Sequence, residues 1–438
     1  MADPIRRVIV CSLLAGAVLA LLLVLVVFPG APEATITGSV LLAWGLGWAV
    51  LAVVSTRRTR LPQTWAKVPA LFLGAAGAAL LALRPAGSAL TVVSWVWPVL
   101  VVALVAWMRT QVRRSLPDRG RRILTLVMAA LMIAAVGATS ENIAVRHAGS
   151  AYPAPGRTYE VNGHRLHLDC HGGGGPTVVL FNGLGEVSAS WAWITAEVGQ
   201  VGRVCAYDRA GQGWSSEADR PQDGVAAARD LHALLAAADE PGPYVLVGHS
   251  TGGTYAMTYA ARYVDDVAGL VLLDSSSPEQ FTRLPAYPGQ YAVMRRVTAV
   301  LPTVSRLGVA RLVAAVAGST LPATAADQVD AVSSGARAAR NMRDELSVIR
   351  RVFAQAQELT TLHGRPLAIV TASGSLTETS GWAAAQNQLE ALSENRTHVV
   401  VTASHEGVVV DRTAAEKSAS VITAVIRAVR GGTSLEPS

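Results

Sequence analysis

The chain changes character about a third of the way along. Long apolar stretches dominate its first part, whereas short apolar runs alternate with polar, glycine-containing turns in the rest. Five uninterrupted apolar stretches occur, at 8–28, 36–54, 68–83, 89–107 and 123–138. The first, second and fourth are long enough to cross the hydrocarbon core of a bilayer, and the other two, at 16 residues each, need help from flanking residues. We therefore predict a transmembrane region of about five helices over residues 1–140.

Charge indicates how these helices are oriented. Residues 1–140 carry 13 Lys and Arg against 3 Asp and Glu, whereas the remainder carries 24 against 28. All of these basic residues except Arg84 lie before the first stretch, between the second and third, or between the fourth and fifth. Positive loops mark the cytoplasmic side, so an odd number of spans places everything after Ala138 outside the cytoplasmic membrane. The basic excess therefore belongs to the membrane region and does not indicate nucleic-acid binding. The five stretches contain no charged residue or His, which favours an anchor over an ion path.

Beyond a proline- and glycine-containing linker at 141–156, the pattern is typical of an α/β protein. Strands are predicted at Arg157–Val161, His164–Asp169, Thr177–Phe181, Arg203–Tyr207, Tyr244–Val247, Gly269–Asp274, Pro366–Thr371 and Thr397–Thr402. Most are continuous Val/Leu runs separated by helical patterns, which predicts a mostly parallel sheet covered on both faces. The domain is expected over 157–430, with a helical cap at about 275–364, where no strand pattern occurs, and a disordered tail at 431–438.

One turn carries a chemical signature. The strand that begins at Tyr244 runs directly into Gly248-His249-Ser250-Thr251-Gly252, and a helical pattern follows. Small residues on both sides allow Ser250 to adopt a strained backbone conformation with its hydroxyl exposed above the sheet. The backbone N–H of Thr251 would then lie at a helix N-terminus, where it can stabilise an oxyanion. The pattern predicts a nucleophile elbow with Ser250 as the nucleophile.

The order of the motifs resembles the α/β-hydrolase superfamily. The resemblance extends over about residues 158–429 and rests on FNGLG at 181–185, YDRAGQGWS at 207–215, GHSTG at 248–252 and SHEG at 404–407. It implies an eight-stranded sheet in the order 1-2-4-3-5-6-7-8 with a helical cap. It also implies that the loop containing Asp208 and Arg209 is architectural, and we expect an ion pair between these two residues to hold the loop in place.

The resemblance also implies roles for single residues. His405 follows the last strand, where the superfamily carries its catalytic base, and the backbone N–H of Leu184 would complete the oxyanion hole with Thr251. Two carboxylates could orient His405. Asp274 ends the strand after the elbow, and Glu378 follows the strand at 366–371, where the acid is more usual. We favour Asp274 and retain Glu378 as the alternative. His249 is expected to pack beneath the elbow.

The remaining candidates are cysteines and histidines. Cys170 and Cys205 lie on strands that the superfamily order makes neighbours, so they could form a disulfide in an extracytoplasmic domain. His164, His167 and His171 do not have the spacing of a metal-binding helix face, and we assign no metal site.

The sequence thus predicts a multi-pass, membrane-anchored serine hydrolase that cleaves an acyl ester outside the cytoplasmic membrane, as a carboxylesterase or lipase does. Its expected partners are a small-molecule or lipid ester and the bilayer. No cofactor is expected, and the oligomeric state is left open. Two alternatives remain, an acyltransferase with the same triad and a catalytically silent sensor or scaffold.

Overall fold

A computed structural model describes residues 4–218 and 220–435, without the side chains of Asp118 and Arg119. The chain divides into two compact units, which we call the helical unit and the sheet unit. The helical unit contains the residues up to His147 together with Met294–Ala315 and Gly335–Arg340. The sheet unit contains Ala148–Val293, Val316–Ser334 and the chain from Asn341 onward.

Five long helices form most of the helical unit: α1 Pro4–Leu22, α2 Glu33–Arg58, α3 Lys67–Leu83, α4 Gly87–Ser115 and α5 Asp118–Ala151. Each lies in a segment long and apolar enough to cross a membrane. Helices α2 and α3 approach closely at glycines, since a Cβ atom on Gly45 would lie 2.7 Å from the backbone nitrogen of Gly74. Such small-residue contacts suit packing in lipid, where close approach of backbones replaces the hydrophobic effect.

The sheet unit is built on eight strands: β1 Arg157–Val161, β2 His164–His171, β3 Val178–Phe181, β4 Val204–Asp208, β5 Tyr244–His249, β6 Val267–Leu273, β7 Leu367–Ala372 and β8 Arg396–Val401. Their order is β1-β2-β4-β3-β5-β6-β7-β8, which confirms the expected order. Strand β2 pairs antiparallel with β1 and β4, and all other pairs are parallel. Strands β3, β4 and β5 are buried along their whole length, as the continuous apolar runs predicted.

Further helices complete the chain: α6 Ala192–Val198, α7 Gly224–Ala237, α8 Thr251–Arg262, α9 Gln280–Arg283, α10 Tyr287–Ser305, α11 Val309–Ala317, α12 Ala323–Ser333, α13 Ala336–Ala356, α14 Ser373–Glu378, α15 Trp382–Leu389, α16 Gly407–Val410 and α17 Arg412–Gly431. The segment between β6 and β7 is helical, as the absence of a strand pattern indicated. Parts of it nevertheless group with the helical unit, which the sequence did not indicate.

Two predicted boundaries differ from the structure. Helix α5 continues to Ala151, so most of the predicted linker at 141–156 is helical. No proline lies between Pro117 and Pro153, and the helix ends two residues before Pro153. In the predicted tail at 431–438, Leu435 is buried and its N–H donates to Asn395 Oδ1 at 2.7 Å. Residues 436–438 lie outside the described part of the chain.

Candidate active site

The elbow at Ser250 is a sharp turn between β5 and α8. Ser250 has a φ of +53°, in the left-handed region that L-residues seldom adopt. The positions on both sides of this turn have no room for a side chain. A Cβ atom on Gly252 would lie 2.1 Å from the carbonyl oxygen of Phe181. One on Gly248 would lie 2.4 Å from Gly253 Cα. Glycine at both positions therefore allows the strained turn that presents the Ser250 side chain.

The structure brings Ser250, His405 and Asp274 into one chain of hydrogen bonds. His405 Nε2 lies 2.9 Å from Ser250 Oγ, and His405 Nδ1 lies 2.6 Å from Asp274 Oδ2. A neutral imidazole with its proton on Nδ1 satisfies both contacts, donating to the carboxylate and accepting the serine proton. This is the arrangement in which a serine hydroxyl can be deprotonated as it attacks.

Asp274 is fully buried and is held by several donors. Besides His405, it accepts hydrogen bonds from Trp382 Nε1 at 2.8 Å, from the backbone N–H of Ala372 at 3.1 Å and from the hydroxyl of Ser375. Burial alone would raise the pKa of Asp274, but the hydrogen bonds from His405 and Ser375 outweigh it and hold the pKa below its usual value. The carboxylate is therefore charged and fixed in orientation.

Glu378, the alternative acid, lies apart from this chain. It is the last residue of α14 and is exposed. Asp274 meets His405 because it directly follows β6, the strand beside the elbow strand, whereas Glu378 lies at the far end of α14 from β7.

The two candidate oxyanion donors flank the nucleophile. Thr251 is the first residue of α8, and Leu184 lies in the loop after β3. That loop packs against the nucleophile, since a Cβ atom on Gly183 would lie 3.1 Å from Ser250 Cβ. Asn182 anchors the start of the loop through Trp191 Nε1 at 2.8 Å and the carbonyl of Tyr207 at 3.0 Å. The loop that contains Leu184 and the first turn of α8, which contains Thr251, are therefore both held next to Ser250.

A second acid–histidine pair lies beside the site, with His249 buried and Glu186 partly buried. Glu186 Oε1 contacts His249 Nδ1, and its other oxygen accepts the backbone N–H of Gly183 at 2.5 Å. His249 Nε2 in turn lies 2.9 Å from the carbonyl oxygen of His405. Both ring nitrogens of His249 therefore face acceptors, which requires the doubly protonated cation.

The pKa shifts of this pair agree with its geometry. Burial would lower the pKa of His249, but the charge of Glu186 and its hydrogen bond outweigh burial and raise it. Burial would likewise raise the pKa of Glu186, but the charge of His249 holds it below its usual value. Sequence reasoning placed His249 beneath the elbow and missed Glu186. Its only signal was an acidic residue directly after the glycine turn at 183–185.

Asp208 and Arg209 hold the loop after β4, but they are not paired with each other as predicted. Asp208 accepts from His167 Nδ1 at 2.9 Å and from the backbone N–H of Ser188 at 2.7 Å. Arg209 instead pairs with Glu345 at 3.1 Å. Adjacent residues on an extended strand point to opposite sides, so each charge finds a distant partner.

Cys170, Cys205 and His167 have structural roles. Cys170 and Cys205 are register partners on β2 and β4 and are joined by a disulfide. His167 is fully buried between Asp208 and the carbonyl oxygen of Pro155, so it belongs to the loop network. The side chains of Cys170, Cys205 and Glu240 lie close together, as the ligands of a metal ion would. The two cysteines are joined in the disulfide, so neither offers a thiolate to a metal.

Comparison with known proteins agrees with this architecture. A family model described as the alpha/beta hydrolase fold matches residues 176–419, more than half of the chain. Haloalkane dehalogenase DbeA from Bradyrhizobium elkani superposes with a TM-score of 0.51 and 18% sequence identity, covering 63% of this chain and 99% of that one. At this identity the likeness concerns the fold alone.

Two curated relatives are similar over shorter stretches. An uncharacterised protein of Schizosaccharomyces pombe is 34% identical over 158 residues, which are 29% of this chain and 29% of that protein. The uncharacterised protein YqjL of Bacillus subtilis is 32% identical over 132 residues, 30% of this chain and 52% of that protein. The matched stretches thus cover from under a third to about half of these relatives. From the family match and the sheet order, the chain belongs to the alpha/beta hydrolase family.

Proposed function

We propose that the protein is a membrane-anchored serine hydrolase that cleaves carboxylic esters outside the cytoplasmic membrane. The observation that carries the proposal is the chain from Ser250 Oγ through His405 to the buried Asp274, at 2.9 Å and 2.6 Å. A serine alone is unreactive, but a serine in contact with an oriented imidazole is an activated nucleophile.

The geometry accounts for each step of the reaction. Ser250 Oγ attacks the acyl carbon while its proton passes to His405 Nε2, and the carbonyl oxygen becomes an oxyanion held by the N–H groups of Leu184 and Thr251. The oxyanion collapses, the bond to the alkoxide breaks, and His405 returns the proton to the leaving alcohol. A water molecule then attacks the acyl-enzyme with His405 again as base, releasing the carboxylic acid and restoring Ser250. Asp274 remains ionised and stabilises the imidazolium.

The residue at the elbow separates this reaction from others on the same fold. Dehalogenase and epoxide-hydrolase chemistry requires a carboxylate nucleophile, and this chain has Ser250 there. Transfer of the acyl group to an alcohol other than water would use the same residues and would appear as a second product when such an alcohol is supplied.

Membrane attachment and orientation belong to the proposal as well. Five helices of suitable length and composition support anchoring. Basic residues lie at the end of α2 and the start of α3, and at the end of α4 and the start of α5, and they favour a cytoplasmic location for these helix ends. An odd number of spans then leaves the sheet unit outside, an oxidising location compatible with the disulfide between Cys170 and Cys205.

Labelling by a fluorophosphonate probe tests the proposal. The full-length protein in isolated membranes should be labelled, and Ser250→Ala and His405→Ala should abolish labelling. Glu378→Gln, a change to an exposed acid outside the hydrogen-bonded chain, is the matched control and should label as the wild type does. Absence of labelling in folded wild-type protein, together with no hydrolysis of a short-chain acyl ester, would contradict the proposed reaction.

A further inference from the structure

Part of the segment between β6 and β7 packs with the predicted membrane helices. We call Met294–Ala315 the cap elbow; it belongs to the helical unit and contains most of α10 and α11. Ala299 of α10 forms a small buried core with Val24 and Ile36, and Thr303 bonds Thr37 at 2.9 Å through their hydroxyls. These contacts lie at the ends of the first two apolar stretches that are remote from the basic loops.

Ion pairs fix the cap elbow at the same level. Arg306 forms a two-pronged pair with the buried Glu33 at the start of α2, and Arg340 also contacts Glu33, at 3.1 Å. Arg311 of α11 forms a second two-pronged pair with the buried Glu141 of α5, at 2.9 and 3.1 Å. Buried carboxylates with guanidinium partners hold a defined position, because separating either partner would leave an unpaired charge.

The length of α5 gives the depth of these contacts. Its apolar stretch begins at Ile123, after the basic loop, and Glu141 lies 18 residues further along. At about 1.5 Å per residue this is about 27 Å, close to the thickness of about 30 Å of a hydrocarbon core. Gly137 lies one turn deeper and touches the cap elbow, since a Cβ atom there would be 2.4 Å from the carbonyl oxygen of Leu307. The cap elbow therefore reaches the level of the outer hydrocarbon boundary.

At this level α11 exposes an unbroken apolar face. Val309, Leu312 and Val313 recur at the spacing of one helix face, and Leu312 and Val313 are 66% and 61% exposed. Arg311 is turned away from this face to Glu141. Helix α5 exposes apolar residues deeper in the same unit, including Ile133 and Val136. The apolar face of α11 therefore extends the exposed apolar surface of α5 toward the outer boundary of the hydrocarbon core.

We propose that the cap elbow is immersed in the outer leaflet of the bilayer, with the face formed by Val309, Leu312 and Val313 among the acyl chains. Helix α11 has nine residues, about 14 Å, and meets α10 at 103°, so it lies in the leaflet without crossing it. This placement indicates a substrate class, and that step rests on the proposed function. The substrate is an ester whose acyl chain is dissolved in the leaflet, as opposed to a water-soluble ester.

Spin-label accessibility tests the location without reference to activity. In a Cys11→Ser background, which removes the free thiol, cysteines at Leu312 and Val313 are labelled in full-length protein in phospholipid nanodiscs. Val136→Cys serves as the lipid-exposed control and Ser420→Cys as the water-exposed control. Collision with oxygen should exceed collision with a water-soluble nickel chelate, as at Val136. Nickel access as at Ser420 would overturn the proposal. Exclusion of both reagents would also overturn it, in favour of contact with a second copy of the chain.

A functional comparison tests the substrate class. In the double variant Leu312→Asp/Val313→Asp, the rate of hydrolysis of a short water-soluble ester should remain within about twofold of the wild-type rate. The rate of hydrolysis of a long-chain ester in vesicles should fall by about tenfold or more, because the added charges disfavour insertion of α11 into the leaflet. Equal rates on the vesicle ester in both proteins would overturn the substrate class. Fluorophosphonate labelling of the variant verifies its fold. If wild-type protein fails to label while the spin-label depths hold, the proposed reaction fails and the immersion stands.

Discussion

Glu186 and His249 form an ion pair that contacts segments on both sides of Ser250. One Glu186 oxygen accepts the backbone N–H of Gly183 in the loop after β3, and His249 directly precedes Ser250 and contacts the carbonyl oxygen of His405. The pair therefore links the three segments that carry the proposed nucleophile, the proposed base and a proposed oxyanion donor. Because neither residue reaches the reacting atoms, we regard both as positioning residues.

This pair should give stability a characteristic dependence on pH. The raised pKa of His249 means that its contribution is complete below about 6.5, the ordinary histidine value, and is lost as pH rises through the folded-state value. The lowered pKa of Glu186 means that its contribution is present above about 4.5 and is lost as pH falls through the folded-state value. The difference in melting temperature between wild type and Glu186→Gln should therefore be largest between these limits. A difference independent of pH would contradict the ion pair.

Asp274 should prove to be the triad acid. Asp274→Asn would reverse the hydrogen-bond preference at Nδ1 of His405 and favour the wrong tautomer, so kcat for a short ester should fall by about 10⁴. Glu378→Gln should change kcat by less than about twofold, because an exposed side chain outside the site is a minor perturbation. Steady-state hydrolysis by the two variants in parallel measures this, and comparable losses in both would contradict the assignment.

Asp208 should matter for stability and not for chemistry. Asp208→Asn leaves His167, which lies between Asp208 and the carbonyl oxygen of Pro155, as a buried cation without its counter-charge. Breaking such a pair destabilises a fold by about 3–5 kcal/mol. Thermal unfolding should show a clear loss, whereas fluorophosphonate labelling per folded molecule at low temperature should be retained. Loss of labelling in folded variant protein would place Asp208 in the reaction.

The disulfide can be measured by counting thiols. The chain has 3 cysteines, and Cys170 and Cys205 are bridged in the structure. Maleimide labelling of protein unfolded without reductant should therefore modify Cys11 alone, and prior reduction should give three modified thiols. Closing a loop of 35 residues stabilises a fold by about 3–4 kcal/mol in the chain-entropy model, so Cys170→Ser/Cys205→Ser should lower the melting temperature. Three thiols without reduction would contradict the bridge.

Orientation in the membrane can be read from the access of a membrane-impermeant maleimide in intact cells. In a Cys11→Ser background, Lys417→Cys in the sheet unit should be modified, and Arg58→Cys at the end of α2 should be modified only after lysis. Both positions are exposed, so reagent access depends on the side of the membrane alone. The reverse pattern would place the sheet unit in the cytoplasm.

The sequence alone determined the features that depend on neighbouring residues. Continuous apolar runs predicted most of the strands and the long apolar helices, because a strand covered on both faces and a helix surrounded by lipid are apolar along their whole length. The residues at 248–252 predicted the nucleophile elbow, because a serine in a strained backbone conformation needs small residues on both sides. His405 followed from its place after the last strand and from the resemblance to a known family.

Tertiary structure decided what depends on residues distant in the chain. Asp274 and Glu378 each follow a strand beside the site, and only the packing shows which one meets His405. Asp208 and Arg209 are adjacent yet find partners far away, and Glu186 gave no signal that it would meet His249. The sequence likewise did not indicate that the cap elbow groups with the long apolar helices, because the partners of Arg306 and Arg311, Glu33 and Glu141, are far away in the chain. Local patterns encode elements, whereas distances of a few ångströms between remote side chains arise only when those elements pack.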